Sequence, residues 1–207
     1  MVAPPSFTEG PLPDIIAAFM VQYPGVRFKL DARSIETTKN MIVTRVVDCG
    51  FMKLPVDDGR LRAETLVSTS SVCVLPADHP LAASAVLTPA LLRGVSLILL
   101  GSGRPWRAQV DQTFAEHGLR RTVAIETHTH GSACALAARG LGVAIVNALL
   151  AESYIRRPLV MRPFQPSIVQ EYAFVTSALS TPSRLTVAFQ KVAQEILECR
   201  PVISPDS

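Results

Sequence analysis

Polar side chains that could bind a ligand collect at four points of the sequence where a helical pattern of apolar residues begins. At such turns the exposed main-chain N–H groups and the helix dipole favour a negative charge, so a ligand carboxylate could bind there. Hydroxyl, imidazole and guanidinium groups would add hydrogen bonds. The candidate binding residues are Ser6, Phe7, Thr8, Ser34, Ser102, Arg104, Thr127, His128 and Thr129.

Several of these side chains, and two of their neighbours, have alternative roles. Ser34 and Ser102 stand where hydroxyls commonly cap helices. Arg104 is either a solvated loop charge or a fork for a ligand carboxylate. Glu126 could bind an amino or guanidino group, or it could be a cap or surface charge. Trp106, the single tryptophan, is expected to pack in the interior.

Patterns typical of metal sites and enzymes are weak. His128 and His130 could bind a metal from one face of a strand, but no carboxylate or cysteine stands at a matching spacing. The segment around Ser102 lacks the Gly-x-Ser-x-Gly elbow, and Gly140-Leu141-Gly142 lacks the third glycine and the lysine of a phosphate loop. We therefore expect no catalytic residue, no metal and no cofactor.

Hydrophobic periodicity predicts the elements that position these turns. Helices are predicted over Asp14–Gln22, Ile35–Val46, Thr88–Leu92, Pro105–His117, Gly131–Gly140 and Ser183–Glu198. Strands are predicted over Val26–Leu30, Cys49–Met52, Ser71–Leu75, Val95–Leu100, Val123–Ile125, Val143–Val146, Leu159–Arg162 and Tyr172–Thr176. This alternation predicts an α/β fold with parallel sheets covered by helices.

The strand–helix alternation is interrupted near Pro76 and near Pro163. We interpret the two interruptions as crossings between two lobes. Residues 1–75 and 164–207 would form lobe I, and residues 76–163 would form lobe II. A small ligand would then bind in the cleft between the lobes.

Composition narrows the class of protein further. Apolar residues make up 48% of the 207 residues and charged residues 18%, as in folded α/β proteins. The net charge is +3 and the basic residues are scattered, which disfavours direct nucleic-acid binding. No apolar stretch is long enough for a membrane span and no export signal is visible, so we expect a cytoplasmic protein with four reduced, packed cysteines.

Short segments in register along nearly the whole chain resemble the regulatory domain of LysR-type transcription regulators. The likeness is strongest to members that respond to lysine or to opines, through Val72 to Pro76, Glu126 to His128 and Ala144 to Asn147. The further matching segments are Leu12-Pro13, Phe19, Tyr23-Pro24, Asp48 to Phe51, His79 to Ala82, Gly140 to Val143 and Arg162 to Phe164.

The resemblance implies two Rossmann-like lobes of type II periplasmic-binding-protein architecture, joined by two crossover strands. It implies that Ser6 and Ser34 face a small-molecule effector. It also implies a homodimer, and a tetramer in a full-length parent, with the Asp14–Gln22 helix meeting the Pro105–His117 helix of a partner. DNA would be bound only through an N-terminal winged helix-turn-helix, which we expect to be absent from this chain.

Three functions are compatible with these patterns. The first is a sensor that binds an amino-acid-like metabolite of lysine, arginine, ornithine or opine type. The second is a transport-type solute-binding protein of the same plan, which a periplasmic location would favour. The third is a catalytic α/β domain, which loss of metabolite turnover in Ser102→Ala would favour. The sensor is our primary hypothesis.

Overall fold

The computed structural model describes residues 1–155 and 158–200. Contacts divide the chain into two compact units. Unit 1 contains Met1–Ser68 and the described residues from Gln170 onward, and unit 2 contains Thr69–Val169. In chain order the elements are β1 Val2–Ala3, α1 Pro5–Glu9, α2 Leu12–Gln22, β2 Asp31–Ala32, α3 Ile35–Val43, β3 Gly50–Lys53, β4 Leu61–Thr69, β5 Ser71–Pro76, a 3-10 helix Pro80–Ala83, β6 Ser96–Leu100, α4 Pro105–Glu116, β7 Thr122–Thr127, α5 His130–Ala137, β8 Val143–Asn147, α6 Ala148–Glu152, β9 Leu159–Pro163, β10 Gln170–Ser177 and α7 Arg184–Glu198.

Unit 1 is built on a sheet in the order β2-β1-β3-β10-β4. Side chains alternate between its faces, as a strand requires. Phe51 and Phe174 lie opposite each other on β3 and β10, and their rings join an aromatic cluster that includes Phe189 of α7. Met52, on the other face, packs with Ile42 of α3. Both faces are therefore covered by helices.

Unit 2 has the sheet order β7-β6-β8-β5-β9 and two apolar layers. Leu97 and Leu99 of β6 pack in one layer with Phe114 of α4. Ile98 packs in the other layer with Cys134 of α5. This alternation fixes α4 and α5 on opposite faces of a buried sheet.

The structure corrects the prediction of parallel sheets. Strand β10 runs antiparallel to β3 in unit 1, and β5 runs antiparallel to both β8 and β9 in unit 2. Parallel pairing is found between β1 and β2, β1 and β3, β6 and β7, and β6 and β8. Alternating helices and strands predict crossover connections and hence parallel strands. They do not indicate that the chain leaves unit 1 and returns to it, so the directions of β5 and β10 could not be predicted. Each sheet is consequently mixed.

Several predicted or overlooked elements also differ, among them the short α1, which contains the turn predicted at Ser6–Thr8. Residues 26–30 form no strand, and Phe28 within them packs its ring against Phe19 and Phe189. The predicted helix at 88–92 is a set of turns that leads into Gly94, whose φ is +73°. Strand β4 was not predicted because the exposed run at 62–65 hides its alternation, and α6 was not predicted either.

The unit boundaries fall after Ser68 and Val169, whereas the sequence suggested residues 75 and 163. The reason is visible in β5, which pairs with β8 and β9 and so belongs wholly to unit 2. Ile168 belongs to the same unit, since its N–H donates to the hydroxyl of Ser71 at 2.9 Å.

Candidate functional site

Two strand-to-helix loops of unit 2 lie side by side. Gly101–Arg104 connects β6 to α4, and His128 and Thr129 connect β7 to α5. Because β6 and β7 are parallel neighbours, with Leu100 opposite Thr127, both loops leave the same edge of the sheet. The Gly101 N–H donates to the Thr127 carbonyl at 2.9 Å and ties them together. We call Gly101–Arg104 and Thr127–Thr129 the loop pair; it brings together five predicted residues: Ser102, Arg104, Thr127, His128 and Thr129.

The side chains of the loop pair differ in their hydrogen bonds. Thr129 caps α5, since its hydroxyl oxygen accepts from the Ser132 N–H at 3.1 Å. In contrast, within residues 1–155 and 158–200 the side chains of Ser102, Arg104, Thr127 and His128 make no hydrogen bond or ion pair. Arg104 holds the N-cap position of α4 without a capping bond. Ser102 therefore does not cap α4, whereas Thr129, for which no capping role was predicted, caps α5.

An ion-pair network supports the loop pair. Arg107 of α4 is buried, and its Nη1 donates to Glu126 Oε1 at 2.7 Å and to the Leu100 carbonyl at 3.0 Å. Its Nε donates to Asp111 Oδ1 at 2.8 Å. The Arg107 guanidinium and the Ser102 N–H, which donates to Glu126 Oε2 at 3.4 Å, hold the pKa of Glu126 below its usual range. Glu126, although exposed, is thus already paired with groups of unit 2.

Shortly after the two loops in the sequence, Trp106 and His130 begin a buried cluster of polar groups that was not predicted as a unit. Trp106 packs in the interior as predicted, and its indole N–H donates to the Ile145 carbonyl at 3.2 Å. His130 is buried, stands edge-on to Trp106 and accepts the Asn147 N–H on Nδ1 at 3.3 Å. Asn147 in turn caps α6. The buried position of His130 contrasts with the exposed His128, so the two do not present a common face.

The other four predicted residues lie in unit 1 at a similar edge. Strand β1 leads into α1, and its parallel neighbour β2 leads into α3. The Arg33 N–H donates to the Ala3 carbonyl at 3.2 Å, which joins the two strand ends. Ser6 lies on α1 and Ser34 caps α3 by accepting from the Thr37 N–H. Thr8 donates its hydroxyl to the Pro4 carbonyl at 3.1 Å.

Phe7 is the predicted residue whose placement changes most. Its side chain is fully buried and stacks on Phe51 with ring centroids 4.6 Å apart. Its N–H donates to the Pro4 carbonyl. Phe7 therefore packs α1 against the core. Its ring has no exposed surface with which to contact a ligand. A sequence pattern that places an apolar residue between two polar ones at a helix start is itself typical of a residue packed in this way.

A separate cavity of about 280 Å³ lies in unit 1. The rings of Phe19, Phe28 and Phe189 line it, together with Arg27 and Lys29. None of the predicted site residues lines this cavity. The chemistry proposed from the sequence therefore does not coincide with it.

Comparison with known proteins decides the family. The family described as "LysR substrate binding domain" matches residues 1–198. The chain belongs to the LysR substrate binding domain family. The resemblance read from the sequence is confirmed, and so is the α/β fold class with two Rossmann-like units.

Relatives of this LysR-type domain include a transcriptional activator and a regulatory protein. The "Transcriptional activator protein LysR" of Escherichia coli (strain K12) is 32% identical over 186 residues, covering 89% of this chain and 60% of that protein. The "Regulatory protein NocR" of Agrobacterium tumefaciens (strain T37) is 30% identical over 196 residues, covering 95% and 64%. The chain therefore spans less than two thirds of the length of these relatives.

Solved structures share the fold of the LysR-type domain. The reduced OxyR regulatory domain of Pseudomonas aeruginosa has a TM-score of 0.79 at 21% identity, with 94% of this chain and 95% of that chain covered. The CcmR regulatory domain of Synechocystis PCC6803, in complex with 2-PG, has a TM-score of 0.77 at 18% identity, with 96% of each covered. No helix in the described part of the chain is long and apolar enough to cross a membrane.

Proposed function

We propose that this chain senses a small amino-acid-like metabolite of lysine, arginine, ornithine or opine type. The observation that carries the proposal is the loop pair, where Ser102, Arg104, Thr127 and His128 present polar side chains without partners in the described residues. Unpaired hydroxyl, guanidinium and imidazole groups at one edge of a sheet can each bond a ligand without breaking an existing hydrogen bond.

The groups of the loop pair suit a ligand that has both a carboxylate and an amino group. Arg104 stands at the start of the twelve-residue helix α4, where the helix dipole and the guanidinium both favour a carboxylate. The hydroxyls of Ser102 and Thr127 can accept hydrogen bonds from an ammonium. Ser6, Thr8 and Ser34 remain candidate effector contacts within unit 1, where they lie at the ends of β1 and β2. We leave Phe7 out of the proposed contacts because its ring is buried.

Calorimetric titration tests the proposal with lysine, arginine, ornithine, octopine and nopaline. We expect saturable binding of at least one compound and a rise in melting temperature, because a ligand at about one hundred times its Kd stabilises the native state by about 2.7 kcal/mol. Cadaverine, which is lysine without its carboxylate, is the matched control and is expected to bind more weakly. Failure of all five compounds to bind contradicts the proposal.

A regulator of this kind would act through a longer protein. We propose that effector binding shifts the population of two conformations and so controls DNA binding and transcription by a full-length parent. We also propose a homodimer in which α2 meets α4 of a second copy. Light scattering on the purified chain tests the dimer, and monomer at all concentrations contradicts it.

A further inference from the structure

We infer that Glu126 is the positioning residue of the loop pair and that effector binding by Ser102 and Arg104 depends on its carboxylate. This inference rests on the proposed function, and it adds a residue whose own side chain is not among the proposed effector contacts. Three features of unit 2 support this inference. They are a β-bulge that orients Glu126, an ion pair between Glu126 and the buried Arg107, and a hydrogen bond from the Ser102 N–H to Glu126.

The first feature is a β-bulge in β7. The register with β6 places Leu97 opposite Val123 but Ile98 opposite Ile125, so Ala124 is the extra residue. Val123 packs in the same apolar layer as α4, whereas Ile125, two residues later, packs in the layer of α5. Without the bulge both would share a face. The bulge thus turns Glu126 toward α4, as bulges next to functional sites commonly re-aim a side chain.

The second feature is the burial of Arg107. Its residue exposure is 5%, and a buried guanidinium is stable only when it is paired. Its Nη1 reaches both Glu126 and the carbonyl of Leu100, the last residue before the loop. Arg107 itself lies in the first turn of α4, just after the loop. The guanidinium therefore bridges both ends of Gly101–Arg104, and it is held by Glu126 on Nη1 and by Asp111 on Nε.

The third feature is the direct bond to the loop. The Ser102 N–H donates to Glu126 Oε2 at 3.4 Å, while Oε1 binds Arg107. One carboxylate consequently holds the middle of the loop and the helix that follows it. The Ser102 hydroxyl and the Arg104 guanidinium have no hydrogen-bond partners in the described part of the chain. A rigid supporting group of this kind keeps binding groups in their productive geometry.

Three variants test the inference. Glu126→Ala removes both hydrogen bonds, and Glu126→Gln keeps an oxygen that can accept one of them. Glu116→Ala is the control, since Glu116 is an exposed carboxylate on α4 whose partner is Gln112. Circular dichroism and Trp106 fluorescence check that each variant is folded.

Amide hydrogen exchange, measured by NMR without any ligand, reads the loop directly. We expect the Ser102 N–H to exchange roughly threefold faster or more in Glu126→Ala, to return toward the native rate in Glu126→Gln, and to be unchanged in Glu116→Ala. An unchanged Ser102 rate in Glu126→Ala overturns the inference. Because no ligand is used, this result is independent of the proposed function.

Calorimetry with lysine, arginine, ornithine, octopine and nopaline reads the consequence for binding. For any of the five that the native chain binds, we expect about tenfold weaker affinity in Glu126→Ala and partial rescue in Glu126→Gln. Native-like affinity in Glu126→Ala overturns the inference while the proposed function stands. If the native chain binds none of the five, the proposed function fails and the exchange rates alone decide whether Glu126 positions the loop.

Discussion

Arg107 Nη1 lies 2.7 Å from Glu126 Oε1, although the two residues are 19 positions apart and belong to a helix and an edge strand. The pair joins α4 to β7 at the point where both loops of the loop pair begin. Arg107 and Glu126 are paired with each other and hold the loops in place, whereas the side chains of Ser102 and Arg104 are available to contact an effector. The predictions below rest on that distinction and on the packing of the units around it.

Ser102→Ala and Thr129→Ala are expected to change different properties, effector binding in the first and stability in the second. Loss of the Thr129 cap on α5 should lower the free energy of unfolding by about 1 kcal/mol. Ser102→Ala should change it by less than about 0.5 kcal/mol, since the hydroxyl has no partner in the described residues, but it should weaken effector binding. Urea denaturation and calorimetric titration measure the two quantities. A large stability loss in Ser102→Ala would show that its hydroxyl is structural.

The titration of Glu126 should reflect its ion pair. The hydrogen bond from Arg107 lowers the pKa of Glu126 below the ordinary value of 4.5, so the folded state holds its charge more firmly than the unfolded chain. The resulting stabilisation is present above about pH 4.5 and is lost as the pH falls through the folded pKa. Side-chain carboxyl NMR should give a midpoint below 4.5 that rises in Arg107→Met. An equal midpoint in both proteins would contradict the pairing.

Gly142→Ala should be strongly destabilising. Gly142 has φ +151°, and an added Cβ would lie 2.5 Å from the Ser96 carbonyl oxygen of the neighbouring strand. Clash and backbone strain together should cost more than about 3 kcal/mol. Gly140→Ala is the control, because Gly140 has φ +72° but open space around it, and strain alone should cost about 1–2 kcal/mol. Urea denaturation measures both; equal losses would mean that the clash is relieved.

Thiol labelling of the native protein should show one fast cysteine. Cys199 is exposed, whereas burial raises the pKa of Cys49 and Cys134 to about 12 and that of Cys73 still further. This corrects the expectation that all four thiols are packed. A disulfide reagent at about pH 8 should react quickly with one thiol, and with the other three only on unfolding. Cys199→Ser should abolish the fast phase; its persistence would place another thiol at the surface.

Trp106→Phe should destabilise unit 2 more than its loss of area suggests. The indole N–H donates to the Ile145 carbonyl at 3.2 Å inside the apolar layer that α4 covers. Phenylalanine would leave that acceptor buried without this donor, which costs about 1–3 kcal/mol. Differential scanning calorimetry measures the loss. A change below about 0.5 kcal/mol would indicate that the carbonyl finds another partner.

Local patterns in the sequence determined much of the secondary structure and several caps. Ser34 caps α3, which was one of its two predicted roles, and the predicted helix starts and ends at Ser183 and His117 lie next to the observed ends of α7 and α4. Such features are readable because a helix start or end depends on residues only three or four positions away. The polar turns of the loop pair were readable for the same reason, and parallel neighbours then brought them to one edge.

Tertiary structure alone decided how these parts combine. The antiparallel placement of β5 and β10, the bulge at Ala124 and the pairing of Arg107 with Glu126 all depend on which strand lies beside which. Hydrophobic periodicity indicates which side chains of an element are buried, but it does not indicate which residues of other elements they contact. For that reason Phe7, which was assigned to a site, is a core residue, the partly buried Phe28, which was assigned to a strand, packs against Phe19, and Glu126 has its partner on α4.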